Sequence, residues 1–242
     1  ILKFKKYYDK RFINKYNESL QNLCGFKHSY LFSSGRMALF TLLKSIGVKA
    51  NDEVIIPAYT CVVVANAIKY LGAKPVYVDI SLKTFGIDVH KLENVITNKT
   101  KVICVQHTYG IYSEVKKIRD ICANKEIFII EDLAHLLNED FKNNNIGVYS
   151  DACYLSTDHT KIINTYLGGV AFTNNIKIAN EIKNIYTKLP FLPKFIIFKI
   201  LFSFICENIL LHPKFYKLGI IIFKIIRKIK LIFIFDDDLK TE

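Results

Sequence analysis

The sequence predicts an α/β fold: a mostly parallel sheet with helices on both faces. Three observations carry this. Short apolar runs of four to seven residues recur up to about residue 188, separated by segments whose apolar residues keep helical spacing. Gly and Pro fall at the joints, as at Pro57 and Gly72. The 242 residues are 51% hydrophobic and 23% charged, which suits one large globular domain or two small ones. Such a composition excludes a disordered chain, a collagen-like chain and a disulfide mini-protein.

The elements follow in order. Arg36–Ile46 (RMALFTLLKSI) reads as a helix entered through Ser33-Ser34-Gly35. Glu53–Ile56 is a short strand stopped by Pro57, and Tyr59–Leu71 a helix ended by Gly72. Lys74–Ile80 is a strand, Val89–Ile96 a helix, Lys101–Gln106 a strand and Glu114–Ala123 a helix. Glu126–Ile130 (EIFII) is a strand that leads into Glu131-Asp132. Ala152–Leu155 and Val170–Thr173 are two further strands, and Ile176–Tyr186 is a helix. Alternation of this kind builds βαβ units, and ligands of such sheets bind beyond the carboxyl ends of the strands.

Residues 189–235 differ. Of these 47 residues, 31 are apolar, and eight Lys/Arg face the single acid Glu207. The segment carries +7 of the chain's +12, and the acidic run Asp236, Asp237, Asp238 follows. A basic chain suits an anionic partner: nucleic acid, phosphate or an acidic membrane surface. Heavy use of Ile, Lys and Asn also inflates the charge without any function. A nucleic-acid partner is disfavoured, since most of the charge lies in an apolar tail without a nucleic-acid motif. Phe195–Leu211 and Leu218–Phe235 are interrupted by charges and fit a spanning helix poorly. Core or interface helices, basic amphipathic helices in a membrane interface, and a weak span all stay open. The six cysteines are scattered with no CxxC pair, the pattern of free thiols in a reducing compartment, with no metal site. No signal-peptide core opens the chain, and a first residue other than Met suggests trimming.

Three positions after strands could carry chemistry. Ser33-Ser34-Gly35-Arg36 opens a helix, where backbone N–H groups bind anions and Arg36 adds charge. A plain Ser cap with a helix-face Arg is the simpler reading. Glu131-Asp132-Leu133-Ala134-His135 leaves a strand end on the ligand side, although Asp132 could merely cap a turn. Ser156-Thr157-Asp158-His159-Thr160-Lys161 follows the strand ACYL; Lys161 is either a solvated charge or a desolvated nucleophile for carbonyls. Together they make a phosphate cup, a carboxylate and a lysine, which are the parts needed to hold pyridoxal phosphate (PLP).

In these residues the sequence resembles the DegT/DnrJ/EryC1/StrS sugar aminotransferases, PLP enzymes of fold type I. The resemblance runs from about Glu18 to Tyr186. It lies in SSGRMAL (33–39), GVKANDEVIIPAYTCVVVANAIKYLGAKPVYVDI (47–80), TKVICVQHTYG (100–110), EDLAH (131–135), STDHTK (156–161) and LGGVAFTNN (167–175). It implies a three-layer αβα large domain over 1–188, followed by basic hydrophobic helices over 189–242. Lys161 is implied as the catalytic lysine that forms the Schiff base, and Asp132 as the partner of the pyridinium nitrogen. His135 is implied against the cofactor ring, Ser156 on the phosphate, and Gly35 and Arg36 in the phosphate cup, where most members have Gly-Thr. The family stacks an aromatic residue on the ring where this chain has Cys61, so either Cys61 or nearby Tyr59 would cover that face. His107 and Tyr109 match an H-x-Y-G turn near the site.

The resemblance further implies transfer of an amino group, from a donor such as glutamate, to a keto group of a nucleotide-linked sugar for surface polysaccharide or glycan synthesis. It implies a cytoplasmic homodimer, with membrane contact through 195–235 as an open reading. Related sugar dehydratases replace the lysine by His, so Lys161 favours transamination; a dehydratase and a non-catalytic relative are the alternatives. The family's C-terminal small domain has no counterpart in 189–242. The chain is therefore expected to be a fragment, or 189–235 an insertion ahead of a missing domain.

Overall fold

A computed structural model of the chain describes residues 10–136, 145–190, 192–229 and 231–232. The basic residues 1–9, the acidic run Asp236–Asp238 and the end of the second apolar run lie outside them. The chain forms two compact units, Ile1–Lys188 and Leu189–Glu242.

The first unit opens with α1 (Lys10–Cys24) and β1 (His28–Phe32), then α2 (Gly35–Ser45), β2 (Glu53–Pro57), α3 (Val62–Lys69) and β3 (Lys74–Val78). It continues with α4 (Val89–Leu92), β4 (Thr100–Gln106), α5 (Val115–Ile121), β5 (Phe128–Asp132), β6 (Ala152–Ser156), β7 (Gly169–Thr173) and α6 (Ile176–Tyr186). Seven strands lie side by side in the order β1-β7-β6-β5-β4-β2-β3. All neighbouring pairs from β3 across to β6 are parallel, and β7 runs antiparallel to both β6 and β1. The parallel expectation therefore holds except for β7.

Alternation along the strands sorts the core into two layers. Ile55, Ile103, Val105 and Ile129 face a cluster with Leu92 of α4 and Val115 and Ile118 of α5. On the same face Cys153, Leu155, Val170 and Phe172 pack against Leu20 and Cys24 of α1, with Phe26 stacked on Phe172 at 5.1 Å. The opposite strand face, with the buried Val54, Ile56 and Ile130, is covered from the side of α2, α3 and α6. Ala38, Leu39, Leu42 and Leu43 of α2 are fully buried there. Each fully buried Leu contributes about 1.5–3 kcal/mol.

Several expected boundaries move, among them the end of the strand expected over Lys74–Ile80, which stops at Val78. The helix expected from Tyr59 begins at Val62. The strand expected over Glu126–Ile130 runs from Phe128 to Asp132. The helix expected over Val89–Ile96 is α-helical only to Leu92 and ends as a 3-10 turn at Glu93–Val95.

The second unit is a helical hairpin: α7 (Lys194–Leu210), a 3-10 turn at Pro213–Phe215 and α8 (Tyr216–Lys228). The two helices meet at Gly219, where an added Cβ would lie 1.7 Å from the Leu210 carbonyl oxygen. Only a residue without a side chain permits that approach. Among the described residues no helix is long and apolar enough to cross a membrane.

Candidate functional site

The parallel strands and α2 bring one set of polar residues together at the carboxyl ends of β4, β5 and β6. Ser34 caps α2 from an extended backbone, its Oγ accepting the Met37 N–H at 3.2 Å. The other first-turn N–H groups have no partner within the helix and point out of its end. A Cβ on Gly35 would lie 2.8 Å from Ser156 Cβ and 3.3 Å from Ser156 Oγ. A Cβ on Gly169 would lie 2.3 Å from the Ser34 carbonyl. Ser156 and Gly169 are opposite each other in the β6–β7 ladder. The two glycines thus let the start of α2 rest directly on the ends of two strands. The first N–H groups of α2 and the Ser156 hydroxyl are thereby held next to each other, a set of donors that suits an anion. Arg36, half-buried, is the next residue of the helix.

Glu131 and Asp132 end β5 and point to opposite faces, as adjacent strand residues must. Asp132 faces the α2 side and is 5% exposed. Its Oδ1 accepts the Ala134 N–H at 2.8 Å, and its Oδ2 accepts the Tyr154 hydroxyl. Tyr154 is its register partner across β5 and β6. Burial pushes the Asp132 carboxyl above its ordinary value, against the opposing pull of the Tyr154 bond and of nearby His135 and Lys161. With one bond on each oxygen, the carboxylate keeps lone pairs for a cationic N–H.

Glu131 faces the other side and is fully buried. His107 Nδ1 accepts the Ser113 N–H at 3.2 Å, so its Nε2 carries the proton it donates to Glu131 Oε2 at 2.9 Å. The Gly147 N–H and the Ser150 hydroxyl donate to Glu131 Oε1. This pair braces the turn after β4 from beneath. The same turn donates from the His107 N–H to the Asp132 carbonyl at 3.3 Å.

Lys161 stands half-buried in the loop after β6. It shares a small crevice with Ala134, Leu155 and Ser156, and its charge is felt at both Asp132 and His135. The loop is closed at its neck. Thr157 N–H donates to the Gly168 carbonyl, Thr165 N–H to the Thr157 carbonyl, and the two threonine hydroxyls meet at 2.7 Å. A Cβ on Gly168 would collide with both hydroxyls, at 2.2 and 2.6 Å. Burial first, and the Lys161 charge second, hold His135 below its ordinary pKa, so its ring is neutral at neutral pH. His135 Nδ1 accepts the Tyr109 N–H at 3.4 Å, and the rings of Tyr109 and His135 stack at 6.0 Å and 11°.

Tyr109 holds a left-handed backbone (φ 56°). Its hydroxyl bonds that of Tyr59, and its ring also meets Phe85. Cys61 caps α3 without a side-chain bond, and its thiol is exposed. Thr60, just before it, donates to Gln106 Oε1 at 2.7 Å, which holds this segment to the end of β4.

Gly35 and Ser156 thus meet directly, and Asp132, His135 and Lys161 lie within electrostatic reach of one another. Cys61 is close enough to influence Tyr154, the partner of Asp132. Sequence reasoning missed Tyr154, Gly169 and the clasp of Thr157 and Thr165. Tyr154 had a signal: two residues before Ser156 in a strand, it faces the same side.

The profile of the DegT/DnrJ/EryC1/StrS aminotransferase family matches residues 1–188 of this chain. The chain belongs to the DegT/DnrJ/EryC1/StrS aminotransferase family. Among curated relatives, GDP-perosamine synthase of Caulobacter vibrioides is 34% identical over 173 residues, covering 72% of this chain and 47% of that protein. The UDP-2-acetamido-2-deoxy-3-oxo-D-glucuronate aminotransferase of Pseudomonas aeruginosa is 33% identical, covering 72% of this chain and 48% of that protein. The crystal structure of NtdA from Bacillus subtilis, with bound cofactor PMP, superimposes with a TM-score of 0.65 at 30% identity, over 71% of this chain and 39% of NtdA. The chain spans about half the length of the curated relatives it matches.

Proposed function

We propose that residues 1–188 form the PLP-binding large domain of an aminotransferase that passes an amino group, from glutamate, to a keto group of a nucleotide-linked sugar in surface polysaccharide or glycan synthesis. The observation that carries this reading is the convergence of Lys161, Asp132 and His135 beside the cup of Gly35 and Ser156. The names of the relatives, a perosamine synthase and a uronate aminotransferase acting on UDP-linked sugar, support the substrate class.

The residues present fit the cofactor. A helix start held against the Ser156 hydroxyl suits a phosphate group, and a buried carboxylate fixed by two donors suits a ring N–H⁺. The α2 N–H groups with Arg36 and Ser156 would hold the phosphate, Asp132 the ring nitrogen, and Lys161 the aldehyde carbon through Nζ. Bound there, PLP supplies an electrophilic carbon and a ring that draws electrons from the bond being broken. Asp132 keeps the ring proton in place, and its depth in the fold excludes the water that would weaken that charge pair. Neutral His135 lies beside Lys161 and adds no positive charge to the pocket. Lys161 Nζ would be the base that takes a proton from the substrate carbon and returns it. Cys61 and Tyr59 are both exposed, and one of them would cover the ring face that the family covers with an aromatic residue. We also propose a homodimer, following the family.

The test is an absorption spectrum of the protein loaded with PLP and desalted, before and after borohydride. A visible band that reduction fixes to Lys161, and that Lys161→Ala abolishes, is the expected result. A folded protein without the band overturns the reading. Incubation with glutamate and nucleotide-linked keto sugars then separates an aminated product from a deoxygenated one, which would be that of a dehydratase. The mass of the protein in solution tests the dimer.

A further inference from the structure

The helical hairpin carries a surface that the aminotransferase reading leaves unused. On α8 Leu218, Ile221 and Ile225, and just past its end Ile229, are each more than half exposed, with Ile222 beside them. Their spacing (i, i+3, i+4, i+7, i+11) lays them in one stripe along the helix. Lys217, Lys224 and Lys228, all exposed, keep the spacing i, i+7, i+11 and form a second stripe about 100° round from the first. Ile226 and Phe223 are only partly exposed, and Gly219 is buried against the Leu210 end of α7. The face α8 gives to its neighbour is therefore already used, and the apolar stripe is a separate one. On α7, Phe195, Phe198, Ile205 and Ile209 are likewise each more than half exposed and share one face.

Bare aliphatic and phenyl side chains in rows need an apolar medium, and the lysine row beside them needs negative charge. An anionic lipid surface offers both together, acyl chains beneath phosphate groups. Among the described residues neither helix is long and apolar enough to cross a membrane: the 17 residues of α7 span about 25 Å against a hydrocarbon core of about 30 Å. Lys199 and Glu207 also interrupt α7. We propose that α7 and α8 form a docking surface for an anionic bilayer, lying in its headgroup layer.

The experiment is co-sedimentation of the whole chain with vesicles of phosphatidylcholine alone and of phosphatidylcholine mixed with phosphatidylglycerol. The expected result is binding at least about tenfold stronger to the mixed vesicles, falling as salt rises. The triple variant Lys217→Gln/Lys224→Gln/Lys228→Gln should bind about 100-fold more weakly. Ile225→Asp, at an exposed position where folding is undisturbed, should weaken binding by about tenfold or more, with unchanged circular dichroism. Four results overturn the proposal. They are no partition of the native chain, equal partition to both vesicles without salt dependence, binding to duplex DNA in place of vesicles, and a soluble oligomer that Ile225→Asp disperses and that ignores vesicles.

Discussion

Asp132 sets stability against ligand binding within one side chain. Its carboxyl is buried, and its pKa in the folded chain is raised above the ordinary value, chiefly by desolvation. Between the unfolded and the folded pKa, the folded chain holds a proton that the unfolded chain has lost, so stability falls as pH rises through that window. Asp132→Asn removes the buried charge; its amide oxygen still accepts the Ala134 N–H, and its NH2 donates to the Tyr154 hydroxyl oxygen. Without PLP, the variant should be more stable than the native chain by on the order of 1 kcal/mol near neutral pH, the gain shrinking toward acid. Its affinity for PLP should fall by about 100-fold, for want of a partner for the ring N–H⁺. Thermal melts across pH, with and without PLP, measure both; a variant less stable than the native chain at neutral pH would contradict the argument. Cys61 supports a second expectation. It alone of the six cysteines is exposed, while Cys24 is buried, its pKa pushed up to about 12. An aromatic disulfide reagent should label one thiol quickly in the native chain, and PLP should slow that labelling if Cys61 borders the bound ring.

The contact between the start of α2 and the end of β6 makes Gly35 and Ser156 a coupled pair. Gly35→Ala should cost about 1–3 kcal/mol through overpacking. Ser156→Gly, which removes the Cβ that blocks it, should recover part of that loss, with a coupling above about 0.5 kcal/mol in a double-mutant cycle. Additive losses would mean that the helix start yields instead. These elements also mark what the sequence alone can tell. Lys101–Gln106 and Ala152–Leu155 were legible because their apolar runs are bounded by turn residues. Asp132 and Lys161 were legible from their place after strands. The strand to Asp132 was drawn two residues short because Glu131 and Asp132 look like loop residues. They extend the strand because His107 satisfies one and Tyr154 the other, across the sheet. Tyr59-Thr60-Cys61 looked helical by pattern but is held out of α3 by the bond from Thr60 to Gln106. α1 and β1 were missed: α1 is mostly polar, and β1 shows its apolar side only once paired with β7. The reversed direction of β7 is set by pairing, which no local pattern records.

At the scale of the whole molecule, the two compact units meet in sequence at Lys188 and Leu189, where Thr187 and Lys188 are exposed just past α6. Brief trypsin treatment should cut after Lys188 and leave the first unit folded; general degradation without that intermediate would deny it independent stability. The cup adds a constraint of another kind. Ser34 and Gly35 enter the chain early, whereas Ser156 and Gly169 follow more than 120 residues later. At about 5–20 residues per second of synthesis, a nascent chain carries half a cup for roughly 6–24 s. A ligand held there cannot template the early steps of folding; it can only lock a unit already complete. Vitamin starvation would then leave the making of the fold untouched and act on its survival, through the proteolysis of finished but empty chains.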